Sequence, residues 1–416
     1  MADRPMRTGV VGLGLGAART LHAMDNLPYV DIHAVADIDP DARERFARAF
    51  PGRRVYDSIE KLAADPEIEA VWLATPNSLH PGHTAILAEA GKHIIVQKPM
   101  AITLPEAEAM VEVTEKHHVK LICGHSYSFL PAVRMMRQIV RSGELGRLCA
   151  INVFAYNDWF MATRKKDDLD PADGGGIAYR NSPHHFDCIR LIGDGKLKSI
   201  RGTLGAWMPE RPAPAYYAAY MEFADGTPAV AVQSAYGYFL LDEFWSSSPR
   251  QNLRKYAKHA AIRRGLREGT HDEMSEYEEL RIGGSADRAQ EEPAVGPWSA
   301  MPGNLGILIV SCERGEIRQS ADGLYVYSDD GVREIKLPWH SSWTGDLEFL
   351  ELYDAVVLGK RAFHSGRWGM ATLEAALGLM ESARTNREVE LTHQVEMDPD
   401  YDSVHRVEPL EVTEVV

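Results

Sequence analysis

The first chemistry legible in the chain lies in a run of glycines near its start. Gly12-Leu13-Gly14-Leu15-Gly16-Ala17 has the spacing G-x-G-x-x-G/A. There Gly12 permits a tight bend, Gly14 lets a pyrophosphate approach the backbone, and Ala17 keeps a helix close to a sheet. Phosphates would sit on the helix N-terminus, held by its free N–H groups and the positive end of its dipole. Asp37 stands 20 positions beyond Ala17. An acid there accepts hydrogen bonds from the adenosine ribose and repels a 2′-phosphate, and Asp37-Ile38-Asp39-Pro40 contains no arginine. This predicts NAD in preference to NADP, with Gly12, Leu13, Gly14, Leu15, Gly16 and Asp37 as contacts.

Such a turn works only between a strand and a helix, and the flanking pattern supplies both. Arg7 to Leu13 is a β-branched run, Ala17 to Asn26 has helical composition, and Val30 to Ala36 reads as the next strand. Asp39 then fits a helix N-cap, with Pro40 at the first helical position and the helix running on to Phe50. Ala70 to Thr75 is a strand, a helix closes at Gly91, and His93 to Val96 is a strand. Thr103-Leu104-Pro105-Glu106 forms a capping box, and Val119 to Cys123 is a further strand. Strands alternating with helices predict an α/β fold with a doubly wound parallel sheet, the Rossmann arrangement, over residues 1–125.

From about Leu145 the pattern changes to longer, alternating strands. Ile151, Val153 and Ala155 share one face, and Asp225-Gly226 and Asp330-Gly331 mark turns. A second α/β domain over 126–393, with a large, mainly antiparallel open sheet, is therefore expected to bind substrate and to make a homodimer or homotetramer. The polar stretch 246–303 reads as a solvated helical insertion. Two helices follow, marked by Phe349, Leu350, Tyr353, Val356 and Val357 and by Met370, Leu373, Leu377 and Met380. Residues 394–416 form an acidic tail without a clear signal.

With 45 Lys+Arg against 60 Asp+Glu in 416 residues, the net charge of −15 argues against a nucleic-acid partner. No run has the length and apolarity of a signal peptide or a bilayer span, so a cytoplasmic location without a membrane partner is expected. Cys123, Cys149, Cys188 and Cys312 are scattered, which suits reduced thiols. No metal site is expected, because His184 and His185 on one helix would point about 100° apart. No G-x-S-x-G elbow supports a hydrolase.

From Val10 to about Leu391 the chain resembles the Gfo/Idh/MocA family of oxidoreductases. The resemblance is carried by Ala74-Thr75-Pro76-Asn77 with His80, Gly91-Lys92-His93 leading to Gln97-Lys98-Pro99, Ser142-Gly143-Glu144-Leu145-Gly146, and Gly174-Gly175-Gly176 followed by His184 and Asp187. It implies that Thr75, Pro76, Asn77, His80, Gln97 and Lys98 join the cofactor site, and that Lys98 and His184 serve the hydride step. Lys98 would stabilise negative charge on a carbinol or carbonyl oxygen, and His184 would take the hydroxyl proton.

Two departures bear on the substrate. Gln97 replaces the glutamate of the family's usual Glu-Lys-Pro, exchanging a carboxylate for an amide. Arg180-Asn181-Ser182-Pro183-His184 replaces Asp-x-Gly-x-His, placing arginine where sugar dehydrogenases hold an aspartate. A guanidinium is a fork for carboxylate, so an acidic substrate is expected; the alternative is an internal ion pair of Arg180 with Asp173 or Asp187. With Gly124-His125-Ser126-Tyr127-Ser128-Phe129 and Tyr236-Gly237-Tyr238-Phe239, this resembles the branch containing phthalate dihydrodiol dehydrogenases. Tyr127, Asn181 and His185 complete the expected pocket. A sugar acid, a cyclic polyol, or a dinucleotide-binding regulator without catalysis are the other readings.

Overall fold

A computed structural model describes residues 4–244, 249–285, 305–338 and 346–415. The chain forms two compact units. One comprises Met1–Ser126, Glu273–Ala294 and Ser342–Leu373, the other Tyr127–Asp272, Val295–Ser341 and Glu374–Val416.

The first unit carries β1 (Met6–Val11), β2 (Val30–Ala36), β3 (Arg54–Tyr56), β4 (Ala70–Leu73), β5 (His93–Gln97) and β6 (Leu121–Gly124). They form one sheet in the order β3-β2-β1-β4-β5-β6, with every pairing parallel. Helices on both faces bury the central strands, which is why β4 is buried at all four residues. The order reverses between β1 and β4, the topological switch point at which such sheets bind ligands beyond their carboxyl ends.

The expected helix starts are present. The Asp39 side chain caps helix Pro40–Ala49 through Asp41 N–H, and Thr103 with Glu106 closes a reciprocal capping box on helix Leu104–Lys116. Two elements carry no clear sequence signal: β3, only three residues long, and helix Ile59–Ala63, capped by Ser58. Phe349, Leu352 and Tyr353, from helix Asp346–Val356, are buried in one cluster with Met6, Val10, Phe46 and Trp72.

The second unit adds β7 (Leu148–Tyr156), β8 (Leu197–Gly205), β9 (Tyr216–Phe223), β10 (Pro228–Ser234), β11 (Ile307–Cys312), β12 (Gly315–Gln319), β13 (Gly323–Ser328), β14 (Gly331–Lys336), β15 (Val389–Glu390) and β16 (Glu411–Glu414). Their order is β15-β8-β9-β10-β7-β11-β12-β13-β14-β16; β10 and β7 are parallel and the other pairs antiparallel. Ile151, Val153 and Ala155 are fully buried on one face. The alternate face exposes Phe154 and Tyr220 at 38% and 44%, the solvated side that period-two alternation requires.

Two expectations need correction. Within the polar insertion, 246–248 and 286–303 lie outside the described residues. The described part contains helices Pro249–Glu268 and Glu273–Leu280, and it is anchored rather than simply solvated. Ile262, Arg263, Tyr277 and Ile282 are buried, and Arg263 donates to the carbonyls of Tyr236 and Gly237. The C-terminal stretch is not a featureless tail either. Tyr401 is buried against the guanidinium of Arg137, and β16 extends the sheet by pairing with β14.

Candidate active site

In the first unit, the glycine turn joins β1 to helix Leu15–Asp25. Gly12 sits at φ +95°, and a Cβ there would stand 2.8 Å from the carbonyl oxygen of Ala74, so any larger residue forces β1 and β4 apart. Gly14 and Gly16 have open space where a Cβ would project, and no side chain caps the helix. Ala17 is fully buried. The turn therefore presents backbone and a helix N-terminus to whatever approaches.

Asp37 closes the turn from the end of β2. Its Oδ2 accepts from Leu13 N–H at 2.6 Å and its Oδ1 from Asp39 N–H at 2.8 Å. Each carboxylate oxygen retains a lone pair for a further donor. Ile38, between the two acids, is an apolar side chain 88% exposed.

The loops after β4 and β5 carry the remaining candidates of this unit. Asn77 is 4% exposed, and its Nδ2 donor has no hydrogen-bond partner among the described residues. A buried orphan donor at the carboxyl edge of a parallel sheet suits a bound polar group. Thr75 Oγ1 lies 3.1 Å from His83 Nδ1, and Pro76 is exposed. These groups and the bare glycine turn fit a dinucleotide.

His80, expected at the cofactor site, is a buried residue of this corner. Fully enclosed, its ring nitrogens lie 3.2 Å from Met100 O and 2.9 Å from Thr75 O. Burial pushes its imidazole down to about 4, so at neutral pH a neutral ring donates to one of these carbonyls. His80 thus ties the Thr75 loop to the segment just after Lys98. Gln97 and Lys98 are half-buried at the end of β5, and the Lys98–Pro99 bond is cis.

One residue escaped the sequence reading. Glu348 is 3% exposed, and its Oε2 would lie 3.1 Å from a Cβ on Gly124. Gly124 is the β6 partner of Gln97, so a buried carboxylate packs on the strand next to the one that ends in Gln97. An acid in the first turn of an apolar helix was the available signal, but it also suits the helix dipole.

The second unit holds the other candidates. The Tyr127 ring stacks on His184, which is half-buried near the start of helix Ser182–Ile192. Arg180 ends helix Ile177–Arg180, and its Nη2 lies 3.0 Å from Asp168 Oδ1. The expected internal partners were Asp173 and Asp187. Asp168 takes this place because the loop before the glycine triplet folds back through Gly176 N–H to Asp168 O and Gly175 N–H to Asp170 O, both 2.8 Å.

His185, expected in the pocket, lies on the buried side of its helix. It is fully buried, with Nδ1 2.5 Å from the Tyr217 hydroxyl, as its rotation from His184 on the helix demands. Asn181 is 4% exposed, and its carbonyl accepts from His184 N–H. A cavity of about 220 Å³ in this unit is lined by Tyr156, Trp207, Tyr236, Tyr238 and Arg267 among others, and by none of the candidates. Among the described residues, no group of three His, Cys, Asp or Glu could hold a metal ion, and no helix is long and apolar enough to cross a membrane.

Residues 6–125 match a model described as the oxidoreductase family, NAD-binding Rossmann fold. Residues 133–239 match the GFO/IDH/MocA C-terminal domain. The chain is 28% identical to the 1-carboxy-3-chloro-3,4-dihydroxycyclo hexa-1,5-diene dehydrogenase of Comamonas testosteroni over 390 residues, 91% of this chain and 95% of that protein. A solved structure from Bordetella bronchiseptica RB50, assigned as a dehydrogenase, is 33% identical with TM-score 0.82, covering 93% of this chain and 100% of the other. Levoglucosan dehydrogenase in complex with NADH and levoglucosan shares the fold at 19% identity and TM-score 0.69, covering 93% and 99%.

Proposed function

The chain belongs to the Gfo/Idh/MocA family of oxidoreductases, and on that premise we propose that it is an NAD-dependent dehydrogenase for a carbinol of a carboxylated cyclic substrate. A cis-4,5-dihydrodiol of phthalate is the named candidate. The observation that carries this reading is an arginine, Arg180, four positions before the half-buried His184. The full-length likeness to an enzyme named for a carboxylated ring with two hydroxyls supports it.

The bound dinucleotide supplies the hydride acceptor. Gly12 to Gly16 hold its pyrophosphate, Asp37 accepts from the adenosine ribose, and Thr75, Asn77 and Gln97 orient the other end. The Asp37 carboxylate repels a 2′-phosphate and so favours NAD. Lys98 donates to the carbinol oxygen and stabilises the charge that grows there as the C–H bond breaks. His184 removes the hydroxyl proton, and Arg180 holds the ring carboxylate through charge-assisted hydrogen bonds. The ketone formed from such a diol tautomerises to an aromatic diacid, which favours oxidation.

The Asp168–Arg180 pair supports a second reading. A guanidinium already facing a carboxylate leaves Asp168 to accept from the hydroxyls of a neutral polyol or a sugar acid. Purified protein with NAD and either the phthalate dihydrodiol or a neutral cyclic polyol separates the two. NADH formation from the acid alone is expected; turnover of the polyol alone overturns the acidic assignment. A regulator without catalysis would form NADH from neither, and Lys98→Ala would then change nothing. The exposed sheet face bearing Phe154 and Tyr220 is assigned to a homodimer or homotetramer, which sedimentation analysis reads directly.

A further inference from the structure

The second half of the polar insertion groups with the first unit, although 242 positions separate Arg281 from the Asp39 it meets. Ile282 is buried at 3% in the cluster that contains Met6, Leu21, Val30 and Phe46. Next to it, Arg281 is 12% exposed at its side chain, with Nη2 2.6 Å from Asp39 Oδ2 and Nη1 3.0 Å from Glu278 Oε1. Glu278 in turn meets Arg45 at 3.0 Å. Arg281 holds the Asp39 carboxyl below the usual carboxylate range.

Hydrogen bonds run on without a gap from this arginine to the glycine turn. Arg281 donates to the Asp39 carboxylate, Asp39 N–H to Asp37 Oδ1, and Leu13 N–H to Asp37 Oδ2. Arg43 fixes the same corner from the other side by donating to the Asp37 carbonyl at 2.7 Å. The insertion is thus built into the edge that receives an adenosine ribose, and both terminal nitrogens of its arginine are occupied by carboxylates.

We infer that Arg281 is the positioning residue of the adenosine end and the latent determinant of cofactor choice. While Asp39 holds it, Asp37 is aimed at the ribose hydroxyls, and the Arg281 guanidinium is withheld from a 2′-phosphate. Once Asp39 is removed, the same guanidinium becomes a phosphate partner two residues from Asp37. The inference rests on the cofactor reading above.

Its test measures KM and kcat for NAD and NADP in the wild type, Arg281→Ala, Asp39→Ala and the double variant, with NADH and NADPH affinities by fluorescence titration. Arg281→Ala should raise KM for NAD about tenfold with kcat within about twofold of wild type. Asp39→Ala should lower KM for NADP about tenfold or more, and that gain should vanish in the double variant. A gain that persists in the double variant, or an Arg281→Ala variant that keeps the wild-type KM for NAD, would overturn the inference. So would a wild type that uses NADP as readily as NAD. A wild type that binds neither NADH nor NADPH would instead defeat the cofactor reading itself.

Discussion

Tyr127 and His184 stack with ring centroids 4.3 Å apart and planes inclined by 26°. This contact fixes the imidazole plane, and an aromatic pair in such geometry contributes about 0.5–1.5 kcal/mol. Tyr127→Leu should therefore lower kcat about three- to tenfold while KM for NAD stays unchanged, and Tyr127→Phe should retain most activity. Steady-state kinetics on both variants would decide this; equal losses in the two would assign the effect to the hydroxyl rather than the stack.

Arg180 faces an internal competitor in Asp168. Replacing Asp168 by Asn removes that charge and should lower KM for a carboxylated substrate about tenfold. Arg180→Leu should raise it by at least as much and leave a neutral polyol unaffected. Competition titrations with a ring diacid against NADH-loaded protein provide a binding readout independent of turnover. Unchanged diacid affinity in Arg180→Leu would remove arginine from the substrate site.

His80 makes stability depend on pH. Its imidazole titrates near 4 in the folded protein against 6.5 as its ordinary value, so between these values the unfolded chain binds the extra proton. The contribution is fully present above about pH 6.5 and is lost as pH falls toward 4. The loss amounts to about 3 kcal/mol. Urea midpoints across that range should fall for the wild type and flatten for His80→Gln. Parallel curves would place the acid sensitivity elsewhere.

Glu348 packs on Gly124, the β6 partner of Gln97, and a carboxylate near that corner would favour a charged lysine. Glu348→Gln should reduce kcat about tenfold with NADH affinity retained. Adding Gln97→Glu should restore most of the loss, because one carboxylate again borders the lysine. Failure of that second change to rescue kcat in a folded double variant would exclude the compensation.

Local signals were the most legible. Val30–Ala36 is a strand because buried β-branched Val30 and Ile32 alternate with the polar Asp31 and His33 before an apolar end, and Asp39-Pro40 starts a helix because cap and ring geometry act within a few bonds. What the sequence could not reveal depends on distant packing. His80 lies near a plausible ligand motif, yet its environment is made by Thr75 and Met100 carbonyls brought together by two loops. Asp168 meets Arg180 only because backbone N–H groups of Gly175 and Gly176 fold the preceding loop back. Arg281 lies 242 positions from the aspartate it binds, beyond the reach of any periodicity or spacing argument. The glycine turn was readable for the opposite reason, since its sterics are set by adjacent residues and one neighbouring strand.

The first unit is discontinuous along the chain: its buried cluster needs Ile282, Phe349, Leu352 and Tyr353 beside residues contributed before position 130. Synthesis on the ribosome therefore cannot complete this core in order of emergence, as a contiguous domain would. The early βα repeats must wait, with apolar faces unfinished, until the helix Asp346–Val356 has left the exit tunnel. Chaperone demand during translation should be set by that delay, and cutting the gene after codon 126 should release a fragment that aggregates rather than a nucleotide-binding module.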